Sequence, residues 1–269
     1  MIRGFWQSKL TAVGLPALSA VLAAVLWIRD RQQGYPLYIP AVASVLLLAL
    51  GAVAGKIAGN IVANARNTRL LSLLHVELDP AAFLSAYEPV PGRLKAGSWD
   101  FAVARSYLAD GYAAAGEFDR AMDTLCPDCA GKPALSGLYY GNLCSYALSK
   151  GDCARAREAA AGLEAVLEDG KANPAFAQNM RLVLNLCRER LTCLEGGKVD
   201  RQWLTGQLER APFALRRLEI LETLARYALL RGRTEEAGEY LDQICQGAGK
   251  TWYQGWAREE LRRLNGQPL

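Results

Sequence analysis

Cys126-Pro127-Asp128-Cys129 is the one place where two thiols stand close enough in sequence to hold a metal together or to exchange a disulfide. A structural zinc site needs four ligands, and the next cysteines, Cys144 and Cys153, supply no second close pair. A thioredoxin-like role requires the motif beside a βαβ unit, for which no strand pattern exists. The seven cysteines are an odd number, which argues against a complete disulfide framework, so reduced thiols on loops and helices are expected. His75 is the only histidine; a metal cluster built on histidines is impossible, and a catalytic triad would have to use this one residue. It falls in a Leu-rich stretch, where a packed or interfacial ring is expected. Gly247-Ala248-Gly249-Lys250-Thr251 ends like a phosphate loop, but Ile244 occupies the place of the first glycine and no strand precedes it, so it reads as a turn. The pairs Glu235-Glu236 and Glu259-Glu260 suit helix first turns or solvated faces. No catalytic constellation, cofactor or metal is expected.

The elements that position these groups begin with two apolar runs. Residues 10–28 form 19 positions without a charge, and residues 32–55 form 24, against the roughly 20 that a helix needs to cross about 30 Å of hydrocarbon. Two transmembrane helices, at about 10–28 and 36–58, are therefore expected within a hairpin over residues 1–64. Residues 65–97 connect it to a soluble domain over 98–269. The first run is too long for a signal-peptide core, and cleavage there would still leave one crossing. Gly51, Gly55 and Gly59 repeat at every fourth position, a spacing that lets helix backbones approach closely. Two uses are open: packing against Gly14, Ala17, Ala20 and Ala24 of the first helix, or self-association into a homo-oligomer.

The formal charge of +4 belongs to this anchor. Residues 65–269 carry equal numbers of basic and acidic side chains, 26 of each, which argues against a nucleic-acid partner. Arg3, Lys9, Lys56, Arg66 and Arg69 flank the hairpin on the side of its termini, and Arg29 and Arg31 occupy its turn. The bias of basic residues toward the inner face then puts both termini and the soluble domain in the cytoplasm.

Beyond the anchor the apolar spacing is helical, with Glu88-Pro89-Val90-Pro91-Gly92 as a break. Tyr112-Ala113-Ala114-Ala115-Gly116-Glu117-Phe118-Asp119-Arg120-Ala121 recurs in outline from Tyr146 to Ala156 and from Tyr227 to Ala237. Gly116 and Gly151 stand 35 residues apart, and so do Ala121 and Ala156. Each copy ends an Ala-rich helix, turns at a Gly, and places an Ala where two helices cross closely. The pattern resembles the tetratricopeptide repeat, a helix-turn-helix unit of about 34 residues. Leu108, Ala109, Tyr112, Gly116, Phe118 and Ala121 match it best. Leu143, Gly151 and Ala156 form a partial second copy, and Leu224, Ala225, Gly232 and Ala237 a partial last one. Residues 176–208 read as a degenerate unit, because Gly151 to Gly196 spans 45 residues. A terminal helix bearing Trp252 and Trp256 should cap the stack.

The expected class is all-α: two membrane helices followed by a solenoid of helical hairpins. The resemblance implies a concave binding face lined by the first helix of each unit, with Ser106, Asp110, Asn142, Ser145, Glu222 and Arg226 as its candidate partner-binding residues. The expected function is a membrane-anchored scaffold that binds an unidentified protein or peptide. The alternative is a small-ligand sensor or transport accessory, which a large pocket of mixed polarity would favour over an open groove. An enzyme using Cys126 and Cys129 would need both thiols exposed and adjacent.

Overall fold

In the computed structural model, which describes residues 9–36, 38–127 and 132–266, every regular element among the described residues is a helix. The chain forms two compact units, Met1–Arg69 and Leu70–Leu269.

The first unit contains α1 (Lys9–Gln32) and most of α2 (Tyr38–His75). Both are long and apolar enough to cross a membrane. Val13, Val21, Val25, Val42, Leu46, Leu50 and Val53 are exposed on them, a surface that costs nothing only in an apolar solvent. At 38 residues, α2 is about 57 Å long at 1.5 Å per residue. It therefore extends well past a hydrocarbon core of about 30 Å, and it runs without a break through residue 64 to His75. Gly51, Gly55 and Gly59 are all buried. A Cβ on Gly51 would overlap the Ser19 side chain, so this glycine is where α1 and α2 approach each other. Gly14, Ala17, Ala20 and Ala24, expected on the facing side, are all exposed instead. The contact stripe of α1 follows Leu15, Ser19 and Ala23 at four-residue spacing, and Ser19 satisfies its hydroxyl on Leu15 O at 2.9 Å.

The second unit starts with the end of α2. It continues through α3 (Pro80–Tyr87) and a short 3-10 turn at Pro91–Arg93, where the prolines break the chain as expected. Paired helices follow: α4 (Trp99–Ala114) with α5 (Phe118–Thr124), and α6 (Pro133–Lys150) with α7 (Cys153–Glu168). After α8 (Pro174–Leu194) and α9 (Arg201–Glu209), α10 (Ala214–Leu230) pairs with α11 (Thr234–Gly247), and α12 (Trp252–Leu264) ends the array. Local chemistry sets the boundaries. Ser98, Asp152, Asn173 and Asp200 cap helix starts by accepting backbone N–H groups, and Gly116 and Gly151 turn the chain at φ of 86° and 87°. Ala121, Ala156 and Ala237, the small residues repeated in the sequence, are each 0% exposed. The first helices α4, α6, α8 and α10 pack successively side by side. The unit over 174–209 departs from this pattern, because α9 packs more closely on α10 than on α8.

The array also closes on itself, which the sequence does not announce. The expected terminal cap, α12, also reaches the first hairpin: the rings of Trp252 and Phe118 meet edge to face at 5.2 Å. The turn before α12 grips the start of the unit. Lys250 N donates to Leu78 O at 2.9 Å, Lys250 Nζ pairs with Asp79 at 2.5 Å, and Gly249 backs onto Leu78 so closely that a Cβ would lie 2.7 Å from Leu78 Cβ. Leu78 is in turn buried among Leu218, Leu221, Leu241 and Ile244. Gly247-Ala248-Gly249-Lys250-Thr251 is thus an inter-helix turn and a clasp.

Gly116 and Gly151 separate backbone strain from closure. Gly151→Ala, with open space around the added Cβ, should cost about 1 kcal/mol from its left-handed backbone alone. Gly116→Ala adds a methyl 3.0 Å from Trp252 Cβ, so it should cost more and also shift tryptophan emission of the folded state. Urea unfolding of the full chain in detergent micelles, followed by fluorescence, checks both.

Candidate functional site

The first helices converge on a cavity of about 400–440 Å³ in each of two adjoining parts. The inner part, about 440 Å³, is walled by Tyr107 and Asp110 of α4 and by Asn142, Ser145 and Tyr146 of α6. Asn179 and Val183 of α8, Arg216 and Glu219 of α10, and Leu71 and His75 from the end of α2 complete it. The outer part, about 400 Å³, shares Asn179, Val183 and Arg216 and runs out between α8 and α9 past Leu182, Trp203 and Gln207. It exists because α9 leans away from α8 toward α10.

Inside the cavity the polar groups are ordered by one another. Ser145 Oγ donates to Glu219 Oε1 at 2.9 Å, and Arg216 Nη1 pairs with Glu219 Oε2 at 2.5 Å, so both oxygens of Glu219 are engaged. Tyr146 donates its hydroxyl to Asp110 Oδ1; among the described residues no hydrogen bond reaches the other oxygen of Asp110. Burial, reinforced by the nearby negative charge of Glu219, raises the Asp110 carboxyl to about 7, although the Tyr146 hydrogen bond and Arg216 oppose the rise. Burial and the Asp110 charge push the phenols of Tyr146 and Tyr107 up as well. His75 lies tilted against Phe213 at 4.9 Å between ring centroids, a packed ring as expected from its Leu-rich setting.

Behind Ser145 sits a second, buried network. Arg190, 3% exposed, reaches Ser145 Oγ at 3.1 Å, Ser149 Oγ at 2.9 Å and Glu222 Oε2 at 3.1 Å. Glu222, 2% exposed, is also bound by Arg226 Nε through its other oxygen, and the Arg226 guanidinium stacks over Trp256 at 4.7 Å. This is a buried ionic core, with each partner's hydrogen-bonding capacity largely used.

Three of the six residues expected on the concave face, Asp110, Asn142 and Ser145, come together at the cavity. The other three do not join them. Ser106 turns its hydroxyl back to Ala102 O at 3.2 Å, and Glu222 and Arg226 belong to the buried ionic core. On α10 the cavity positions are Arg216 and Glu219, about two turns earlier than the pair transferred by the repeat pattern. The displaced unit over 174–209 shifts the register, and because the helix carries Arg217, Glu222 and Arg226 as well, its charges alone do not single out Arg216 and Glu219. Tyr107, Tyr146, Asn179 and Phe213 were missed because each also fits a bland helix face. The thiols of Cys144, Cys187 and Cys193 are buried in helix packing. Cys126 is half-buried, and Cys129 lies outside the described residues.

Replacing Glu222 by Leu strands the Arg190 charge and should cost about 3–5 kcal/mol, whereas the double variant Arg190→Met with Glu222→Leu should recover most of it; thermal unfolding of the four-member cycle measures the coupling. Asp110 adds a pH dependence. The folded protein keeps its proton up to about pH 7, whereas an unfolded chain releases it near 3.8; the folded state therefore binds more protons across this window, and stability falls as pH rises through it. Wild type should lose stability relative to Asp110→Asn between pH 4 and 7, by at most about 1.4 kcal/mol per pH unit, with no further divergence above pH 8. Set against family models, curated proteins and solved structures, the chain matches none.

Proposed function

We propose that the chain is a membrane-anchored binding module, without catalysis of its own, whose tetratricopeptide-like helical unit takes a small molecule in the concave cavity. It would serve as a sensor or as an accessory to transport. One observation carries this: the concave side holds a pocket of mixed polarity of about 440 Å³, a size within the range of small-molecule sites. The repeat family is supported by the paired helices, by the glycine turns near residues 116, 151 and 232, and by the three crossing alanines. The basic flanks of the hairpin favour a cytoplasmic location for the cavity. The positions of Asp110, Asn142 and Ser145 favour them as ligand contacts.

A second reading, a scaffold for a protein or peptide, is favoured by the outer part of the cavity, where Leu182 is 43% exposed beside Trp203. Exposed apolar surface of this kind is suited to an anchoring side chain. Native mass spectrometry of the full chain, extracted in detergent from its own membranes, distinguishes the two. A small-molecule adduct retained in Ser106→Ala and lost in the cavity-filling Asn142→Trp is the expected result. Absence of any adduct, together with a specific protein cross-linked through a photoreactive residue at position 182, would select the scaffold instead.

A further inference from the structure

The inner cavity has an imbalance that its own residues leave uncorrected. It contains two carboxylates, Asp110 and Glu219, and one guanidinium, Arg216. Glu219 is fully served, by Ser145 on one oxygen and Arg216 on the other. Asp110 is served on one side only, by the Tyr146 hydroxyl. An ionised carboxylate with a free oxygen in a poorly solvated site is costly, and the cost is removed by a positive charge that hydrogen-bonds to it. Below about pH 7 the Asp110 carboxyl avoids this cost by keeping its proton; once it is ionised, Arg216 is held by Glu219 and burial disfavours a charged His75 ring, so the charge is left to be met by a cation from outside the protein.

The walls around Asp110 suit such a cation. Tyr107 and Phe213 line the same cavity, and ring faces attract ammonium groups, most strongly where water is scarce. Asn142 and Asn179 line the cavity, and among the described residues no hydrogen bond or ion pair engages their amides, which leaves acceptors and donors for polar atoms elsewhere on a ligand. An anionic ligand would face two carboxylates with no uncommitted cation to meet it.

From this arrangement we infer that the cavity is a site for a small organic amine, bound as its ammonium ion between the free oxygen of Asp110 and the Tyr107 and Phe213 rings. The inference rests on the binding-module function above and adds the ligand's chemical class. Binding in the ionised form of Asp110 would strengthen as pH rises through about 7; Tyr146, Tyr107, Glu219 and Arg216 are the other titratable or charged groups acting on that carboxyl, and His75 stands in the same cavity wall.

Three probes of similar shape and different charge test it on the full chain in detergent micelles by isothermal titration calorimetry: 2-phenylethylamine, 2-phenylethanol and 3-phenylpropionate. The amine should bind at least tenfold more tightly than either of the others at pH 8. Asp110→Asn should abolish that preference, with Ser106→Ala unchanged; since Asp110→Asn is expected to be at least as stable as wild type at pH 8, loss of the fold would not account for it. The cavity-filling Asn142→Leu should weaken the amine while leaving the carboxylate in place. Equal binding of the three probes, a preference that survives Asp110→Asn, or binding of none at millimolar concentration overturns the amine assignment. A native small-molecule adduct seen in the mass spectrum alongside any of these results would leave the binding module standing and its ligand in another class.

Discussion

The helical unit is organised around charge buried where its first helices meet. An Arg or Glu removed from water costs several kcal/mol unless partners replace the lost hydration, and Arg190 obtains them from three places at once. Ser145 and Ser149 come from α6, and Glu222 from α10. Those bonds can be made together in one relative register of α6, α8 and α10. Apolar packing alone would tolerate small slips between these helices, whereas a guanidinium with fixed donor directions does not. The register in turn puts Ser145 where its hydroxyl can reach Glu219, and so shapes the cavity wall. Replacing the network by apolar side chains could leave stability intact, so its contribution is best understood as a choice among packings.

Closure supplies a second constraint with different physics. The clasp at Leu78, Gly249 and Lys250 combines a backbone hydrogen bond, a tight backbone approach and an exposed ion pair; the ion pair contributes little in water, and the burial of Leu78 in the core of α10 and α11 contributes most. Because Leu78 follows the end of α2 by only three residues, that core holds the same stretch of chain that supplies Leu71 and His75 to the cavity. An occupant of the cavity therefore touches the last turns of the helix that begins at Tyr38.

Much of the architecture was legible because it depends on local rules. Uncharged runs of about twenty residues, glycines that end helices and alanines at close crossings follow from chemistry within a few neighbours, and they marked the hairpin and the helix pairs. The parts that escaped depend on long-range geometry. The contact stripe of α1 lies along Leu15, Ser19 and Ala23, one step around the helix from the small residues that looked complementary, because small size permits close packing without requiring it. The break in period after Gly151 moved the cavity positions on α10 to Arg216 and Glu219. Closure was invisible because Leu78, Gly249 and Trp252 are ordinary residues whose meeting is set by the accumulated rotation of five helix pairs and singles, and no local pattern encodes that sum.

The cavity also shows why stability and function pull against each other at Asp110. An Asn at this position would keep a hydrogen bond to Tyr146 and avoid the cost of an ionised group in a poorly solvated site, and as a packing choice it is the better residue. On the amine reading the carboxylate has a use in its charged form; without a cation it is a half-satisfied polar group that costs stability. The same desolvation that raises the carboxyl to about 7 strengthens its attraction for a cation relative to water. A site of this kind discriminates by charge: a neutral molecule leaves an ionised Asp110 uncompensated, an anion worsens it, and a cation compensates it.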